Sequence, residues 1–164
     1  MSNKIYPIGI QNFEKIRKGG YCYIDKTAWI YQMVKTGSYY FLSRPRRSGK
    51  SLLLSTLEAY FQGKKKLFEG LAIEKLEKDW FKYPILHIDL NTEKYDTPER
   101  LENKLNRTLV EWEKIYGAES AETSLAMRFE GIIQRACEKE GQSVVILVDE
   151  YDKPMLQAIG NDEL

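Results

Sequence analysis

Cysteine and histidine are nearly absent from this chain of 164 residues, which holds two cysteines, Cys22 and Cys137, and one histidine, His87. The cysteines lie far apart in no metal or redox spacing, which argues against a disulfide scaffold or a dithiol site, and a single histidine leaves no partner set for zinc. Metal chemistry beyond Mg²⁺ is not expected. Charge of one sign is missing as well: 25 Lys+Arg against 24 Asp+Glu leave a net charge of +1, so no global field draws in nucleic acid or an anionic membrane. No apolar run approaches the roughly 18 residues of a membrane span. The opening residues Met1-Ser2-Asn3-Lys4-Ile5 carry no hydrophobic leader, so the cytoplasm is the expected location and no membrane partner is expected. Repeats, low-complexity tracts and linkers are lacking too, and no domain boundary is expected within residues 1–164.

What the chain does have is a joint at Gly49-Lys50-Ser51, preceded by Tyr39-Tyr40-Phe41-Leu42 and the basic turn Ser43-Arg44-Pro45-Arg46-Arg47-Ser48. It reads as strand, turn, helix. A helix N-terminus offers unpaired backbone N–H groups and partial positive charge, glycine lets a phosphate approach the main chain, and the lysine reaches the outer phosphates. Ser51 can then ligate Mg²⁺. The full P-loop pattern G-x-x-x-x-G-K-[ST] puts Arg44 where its first glycine stands, so the motif is imperfect. Alone, such a joint is more often an ordinary helix cap. Its partner is Val144-Val145-Ile146-Leu147-Val148 followed by Asp149 and Glu150. That run reads as a strand buried on both faces, and in P-loop NTPases the aspartate ending such a strand holds the Mg²⁺ shared with the P-loop hydroxyl.

The rest of the sequence alternates elements. Residues 1–20 read as a polar arm with a short helix over 12–17, and residues 21–24 as a short strand. Asp25 caps a helix whose Trp29, Ile30, Met33 and Val34 recur at helical spacing, with Gly37 as terminator. Residues 39–42 form the strand before the phosphate loop, and residues 48–61 the helix after it. Residues 84–90 read as a strand. Thr97-Pro98-Glu99 opens a helix striped by Leu101, Leu105, Leu109, Trp112 and Tyr116, and Thr123 or Ser124 opens another that ends at Gly141. This order predicts an α/β layered fold, a mainly parallel sheet flanked by helices.

Several residues have plain readings. Lys64-Lys65-Lys66 reads as a solvated helix end, His87 as a structural histidine, and Trp29, Trp80 and Trp112 as core. Asp152 divides between the metal's outer shell and a helix cap. Asp89 stands at the strand edge where parallel sheets place ligands.

Tyr23-Ile24-Asp25-Lys26-Thr27, Ser43-Arg44-Pro45-Arg46-Arg47-Ser48-Gly49-Lys50-Ser51 and Val148-Asp149-Glu150-Tyr151-Asp152-Lys153-Pro154 together resemble the bacterial and archaeal AAA-ATPase-like family. In that family the loop usually reads Arg-Pro-Arg-Arg-Phe-Gly-Lys-Ser, which makes Arg44 a family trait and leaves Ser48 as the departure. The resemblance spans nearly the whole chain and implies a P-loop NTPase-type fold that binds ATP with Mg²⁺. Residues 1–164 are then the N-terminal part of one such domain, expected to be incomplete at the C-terminus. Expected nucleotide contacts are Arg44, Arg46, Arg47, Ser48, Gly49, Lys50, Ser51 and Leu52, with Lys50 also catalytic. Ser51 and Asp149 are the expected metal ligands, and Glu150 orients or deprotonates the attacking water. The preference for adenine rests on the family alone, and the role of Asp25 and Lys26 stays open. Related ATPases often take an arginine finger from a neighbour, so a homo-oligomer is an open expectation. Longer members commonly run on into a domain resembling PD-(D/E)XK nucleases, the only route by which that family would bring in nucleic acid. Two other readings stay open from the residues: a nucleotide-gated binding module without turnover, and a nucleic-acid-binding module using the arginine turn.

Overall fold

The computed structural model describes residues 5–42, 49–91 and 94–159. They form an α/β chain with seven helices and one parallel pair of strands, gathered into two compact units, Met1–Lys82 and Tyr83–Leu164.

The described part of the first unit is helical. Helix α1 (Phe13–Lys18) begins one residue after the expected start, where the Asn12 side chain caps it by accepting from Lys15 N at 3.0 Å. Helices α2 (Thr27–Thr36) and α3 (Lys50–Phe61), a 3-10 turn (Lys65–Phe68) and α4 (Ala72–Leu76) follow. Phe13, Ile16, Phe68 and Ile73 are fully buried. Ring centroids of Phe13 and Phe68 lie 4.8 Å apart, those of Phe68 and Trp80 5.1 Å, and those of Tyr60 and Trp80 5.6 Å. Each such ring removes on the order of 150–250 Å² from water, so this cluster dominates the packing. Polar bonds fix its register. Phe13 N, a first-turn donor with no acceptor in its own helix, donates to Ser55 Oγ of α3 at 2.9 Å. Lys64, the first of the lysine run, pairs with Glu14 at 2.8 Å, so only part of that run is a solvated cap.

Glu77 is buried yet charged. It is 4% exposed and accepts from Tyr60 Oη, Lys35 Nζ at 2.9 Å, Lys78 N at 3.0 Å and Asp79 N at 3.1 Å. Burial pushes its pKa up, but the bonds from Tyr60, Lys35 and the Asp79 amide together outweigh that and hold it below the usual carboxylate value. The carboxylate joins α2, α3 and the segment after α4.

The second unit holds β1 (Ile85–Asp89), α5 (Pro98–Tyr116), α6 (Leu125–Glu140), β2 (Val145–Asp149) and α7 (Asp152–Ile159). The strands pair in parallel from Ile85↔Val145 to Asp89↔Asp149, joined by the long crossover a parallel pair requires. Leu86, Leu109, Trp112 and Ile132 make the core. Proline stands in the first turn of α5, Ser124 Oγ caps α6 by accepting from Met127 N at 3.1 Å, and Gly141 (φ 65°) ends it. Two bidentate pairs clamp the helices: Arg128 to Glu113 at 2.6 and 2.8 Å, and Arg135 to Glu122 at 2.5 and 3.1 Å. Arg135 also donates to the carbonyls of Tyr116 and Gly117 at 3.1 and 2.8 Å, which caps the end of α5. A Cβ on Gly131 inside α6 would stand 1.7 Å from Glu122 Oε1, so a larger residue there would displace the carboxylate from Arg135.

Four expectations are corrected. Residues 21–24 form no strand, since Tyr21 N donates to Ile16 O and Cys22 N to Ile5 O, which serves the end of α1 and the N-terminal arm rather than a ladder. Residues 39–42 are not in the sheet either. Tyr40 folds back so that its hydroxyl donates to Met33 O, and its ring fills the space a Cβ on Gly37 would need. Tyr40 thereby closes the end of α2. Trp29 is 76% exposed rather than core, because the inward face of α2 is set by Thr27 and Ile30. Finally, β2 is not covered on both faces: Leu147 is 6% exposed, but Ile146 and Val148 are 42% and 37% exposed. The helical layer centres on Leu86 of β1 and leaves those register partners partly open.

Candidate functional site

Helix α3 starts on a glycine in the left-handed region, Gly49 at φ 83°, with no side-chain cap and no acidic residue in the first turn. A glycine adopts that backbone at little cost, while other residues lose about 1–2 kcal/mol there. The first bond in this turn is Leu53 N to Gly49 O at 3.0 Å. The amides of Lys50, Ser51 and Leu52 therefore point out of the helix without intrahelical acceptors, as first-turn amides do. Capping by Asn12 and Ser124 satisfies such amides in α1 and α6. In α3 nothing among the described residues does so. Lys50 and Ser51 are half-buried, and neither side chain has a hydrogen bond or ion pair among the described residues. The expected contacts Arg44, Arg46, Arg47 and Ser48 lie outside the described residues.

A cleft of about 770 Å³ opens at this helix start, with Gly49 and Lys50 in its lining. Its other walls are mainly apolar and include Tyr23, Trp29, Met33 and Tyr40. Lys26 also lines it, at the base of α2. Trp29 was absent from the expected ligand contacts. The available signal was its place at the margin of the α2 stripe, beside the inward-facing Thr27 and Ile30.

The segment of residues 23–27 is a clasp. Asp25 Oδ1 accepts from Thr27 N at 2.8 Å and Thr27 Oγ1 at 2.6 Å, and Asp25 Oδ2 from Ala72 N at 2.7 Å. Thr27 Oγ1, fully buried, in turn accepts from Ile73 N at 3.1 Å. Burial raises the Asp25 pKa, but bonds from the Thr27 side chain, Thr27 amide and Ala72 amide outweigh this and bring it below the ordinary value. Asp25 thus joins the starts of α2 and α4 through hydrogen bonds.

In the second unit, Asp149 is the last residue of β2 and stands in register with Asp89 at the C-terminal edge of the sheet. Its Oδ1 accepts from Glu150 N at 2.9 Å. Its Oδ2 has no partner among the described residues. Glu150 has φ 55°, the one positive value outside glycine among the described residues. Nothing in the residue pattern foretold it. The backbone turns sharply there so that α7 begins two residues later at Asp152, with Lys153 N donating to Glu150 O at 3.1 Å. Lys153 Nζ donates to Asn91 O, which fixes the loop after β1. Asp152 opens α7, and its Oδ1 is buried with no hydrogen-bond partner among the described residues. His87 is half-buried within β1. Gly49 to Leu52 and Asp149 to Glu150 thus fall in different units, each described by itself.

No helix among the described residues is long and apolar enough to cross a membrane, and no group of three or more His, Cys, Asp or Glu residues there could hold a metal. The family model described as "Predicted AAA-ATPase" matches residues 7–164. A curated protein of Azotobacter chroococcum mcd 1, "Uncharacterized protein in vnfD 5'region", is 42% identical over 166 residues, an alignment covering 100% of this chain and 32% of the relative. The chain therefore spans about a third of the length of that relative. No solved structure matches it.

Proposed function

The chain belongs to the AAA-ATPase-like family, and from that premise we propose that it binds ATP by its triphosphate at the start of α3 and, within the whole protein, hydrolyses it. The observation that carries this is the uncapped first turn of α3, opening on Gly49 at φ 83° and followed by a lysine without an ion-pair partner among the described residues. Three outward amides and one ammonium make a site for a polyanion. The amides of Lys50, Ser51 and Leu52 would hold phosphate oxygens, and Lys50 Nζ would neutralise the outer phosphates. The Ser51 hydroxyl in the first unit and the Asp149 carboxylate in the second are each a hard oxygen donor of the kind Mg²⁺ takes, and each would serve as a ligand to it. When bound, that cation supplies neutralisation of charge on the phosphate oxygens. Glu150, next to Asp149, would take the proton of the attacking water, leaving ADP and phosphate as products.

Calorimetric titration of Mg-ATP into the chain and into Lys50→Ala tests the phosphate site. The expected result is binding by the parent chain and loss of at least about tenfold in affinity in the variant, the scale of one charge-assisted contact. Equal affinity in the two would overturn it. Phosphate release by the longer protein then separates an ATPase from a nucleotide-gated switch.

A further inference from the structure

A triphosphate alone needs amides and cations, and α3 supplies them at one rim of the cleft. It gives no reason for the rest of the chamber. Beyond Gly49 and Lys50 the walls are mainly aromatic and aliphatic, with Lys26, Gln32 and Thr56 among them, and the volume of about 770 Å³ falls in the range of roughly 300–1,000 Å³ typical of small-molecule pockets. A ligand suited to such a space has an anionic end and a flat, apolar end. Two hydroxyls that could read the edge of such a ligand are already engaged: Tyr40 Oη donates to Met33 O, and Thr56 Oγ1 to Leu52 O at 2.7 Å. The flat end is then held by its faces.

Trp29 supplies the face. It lines the cleft on α2 and is 76% exposed, an indole standing outside a core that the same helix serves through Thr27 and Ile30. Exposed apolar side chains gathered around one concave surface mark contact sites, and Tyr6, Ile24 and Tyr40 are exposed in the lining of the same cleft. Resting on the phosphate reading above, we infer that the cleft between α2 and the start of α3 seats the base and sugar of a nucleoside triphosphate, with Trp29 as the stacking wall that determines affinity for the base.

The test uses the full chain and two probes, Mg-ATP and Mg-tripolyphosphate, against Trp29→Ala and Trp29→Phe. Base–aromatic stacking predicts a loss of about tenfold or more in ATP affinity for Trp29→Ala, near-parent ATP affinity for Trp29→Phe, and unchanged tripolyphosphate affinity in both. ATP, but not tripolyphosphate, should also alter the tryptophan emission, and Trp29→Phe should abolish that response. Unchanged ATP affinity in Trp29→Ala, an equal loss for both probes, or parent-chain binding of tripolyphosphate as tight as ATP would overturn the base site and leave the phosphate site standing. Failure of the parent chain to bind either probe would overturn both.

Discussion

Glu150 carries a conflict between backbone and side chain. At φ 55° it occupies a region that costs a β-carbon-bearing residue about 1–2 kcal/mol, and it does so directly after the proposed metal ligand. Glycine would relieve the strain at a smaller entropic cost. Glu150→Gly is therefore expected to raise the stability of the chain by about 0.5–1 kcal/mol in urea unfolding, while Glu150→Gln, with the same backbone demand, leaves it unchanged. Both should retain ATP affinity, and in the longer protein both should lose phosphate release. A loss of stability in Glu150→Gly would show that the backbone there is not strained, and wild-type turnover in Glu150→Gln would remove Glu150 from water activation. Gly49 is the complementary position. Among the described residues a Cβ there meets nothing within 4 Å, so the φ of 83° is what calls for glycine at the start of α3 on conformational grounds.

At the scale of elements, the Asp25 clasp is the sharpest link between motif and structure. One carboxylate accepts two backbone amides and a hydroxyl from the starts of two helices, which a helix-cap reading of Asp25 foresaw only in part, since Ala72 lies 47 positions away. Asp25→Ala leaves those donors without acceptors and should cost about 1–3 kcal/mol, read as a lower urea midpoint with an unchanged slope. An unchanged midpoint would mean that water replaces the carboxylate at no cost. Local signals were otherwise legible: Asn12, Ser124, Gly141 and the Leu109–Trp112 stripe end or orient helices through contacts within one or two turns. Legibility failed where the residue order does not rank one partner above another, or where the partner is distant. Residues 39–42 have the composition of a strand, but Tyr40 finds Met33 O a few residues back, and nothing in the residue order ranks that bond above a ladder. The Gly49-Lys50-Ser51 helix start could be read from three residues because its chemistry is local. The cleft beside it, assembled from several separate segments, could not.

Over the whole molecule, carboxylates held in hydrogen-bonded pairs set the response to acid. Glu14, bonded by Lys18 and Lys64, is lowered from 4.5 to about 2. Glu113 and Glu122 are lowered chiefly by their arginines, and Asp25 and Glu77 by bonds that outweigh burial. A carboxyl whose folded pKa lies below its unfolded one adds stability above the unfolded value and loses it as pH falls through the folded value. Urea midpoints should therefore hold level above about pH 5 and fall steadily from about pH 4.5 toward pH 2. Glu14→Gln should flatten the lowest part of that fall, and an identical profile in the variant would exclude the pair as a contributor. The tether of Tyr40 to Met33 has one more consequence. The stretch of residues 39–42 is moored to the final turn of α2, whose opposite end the Asp25 clasp anchors to α4. Any pull on residues 39–42 is thus delivered to a strut fixed at its far end, a helix that also forms one side of the chamber.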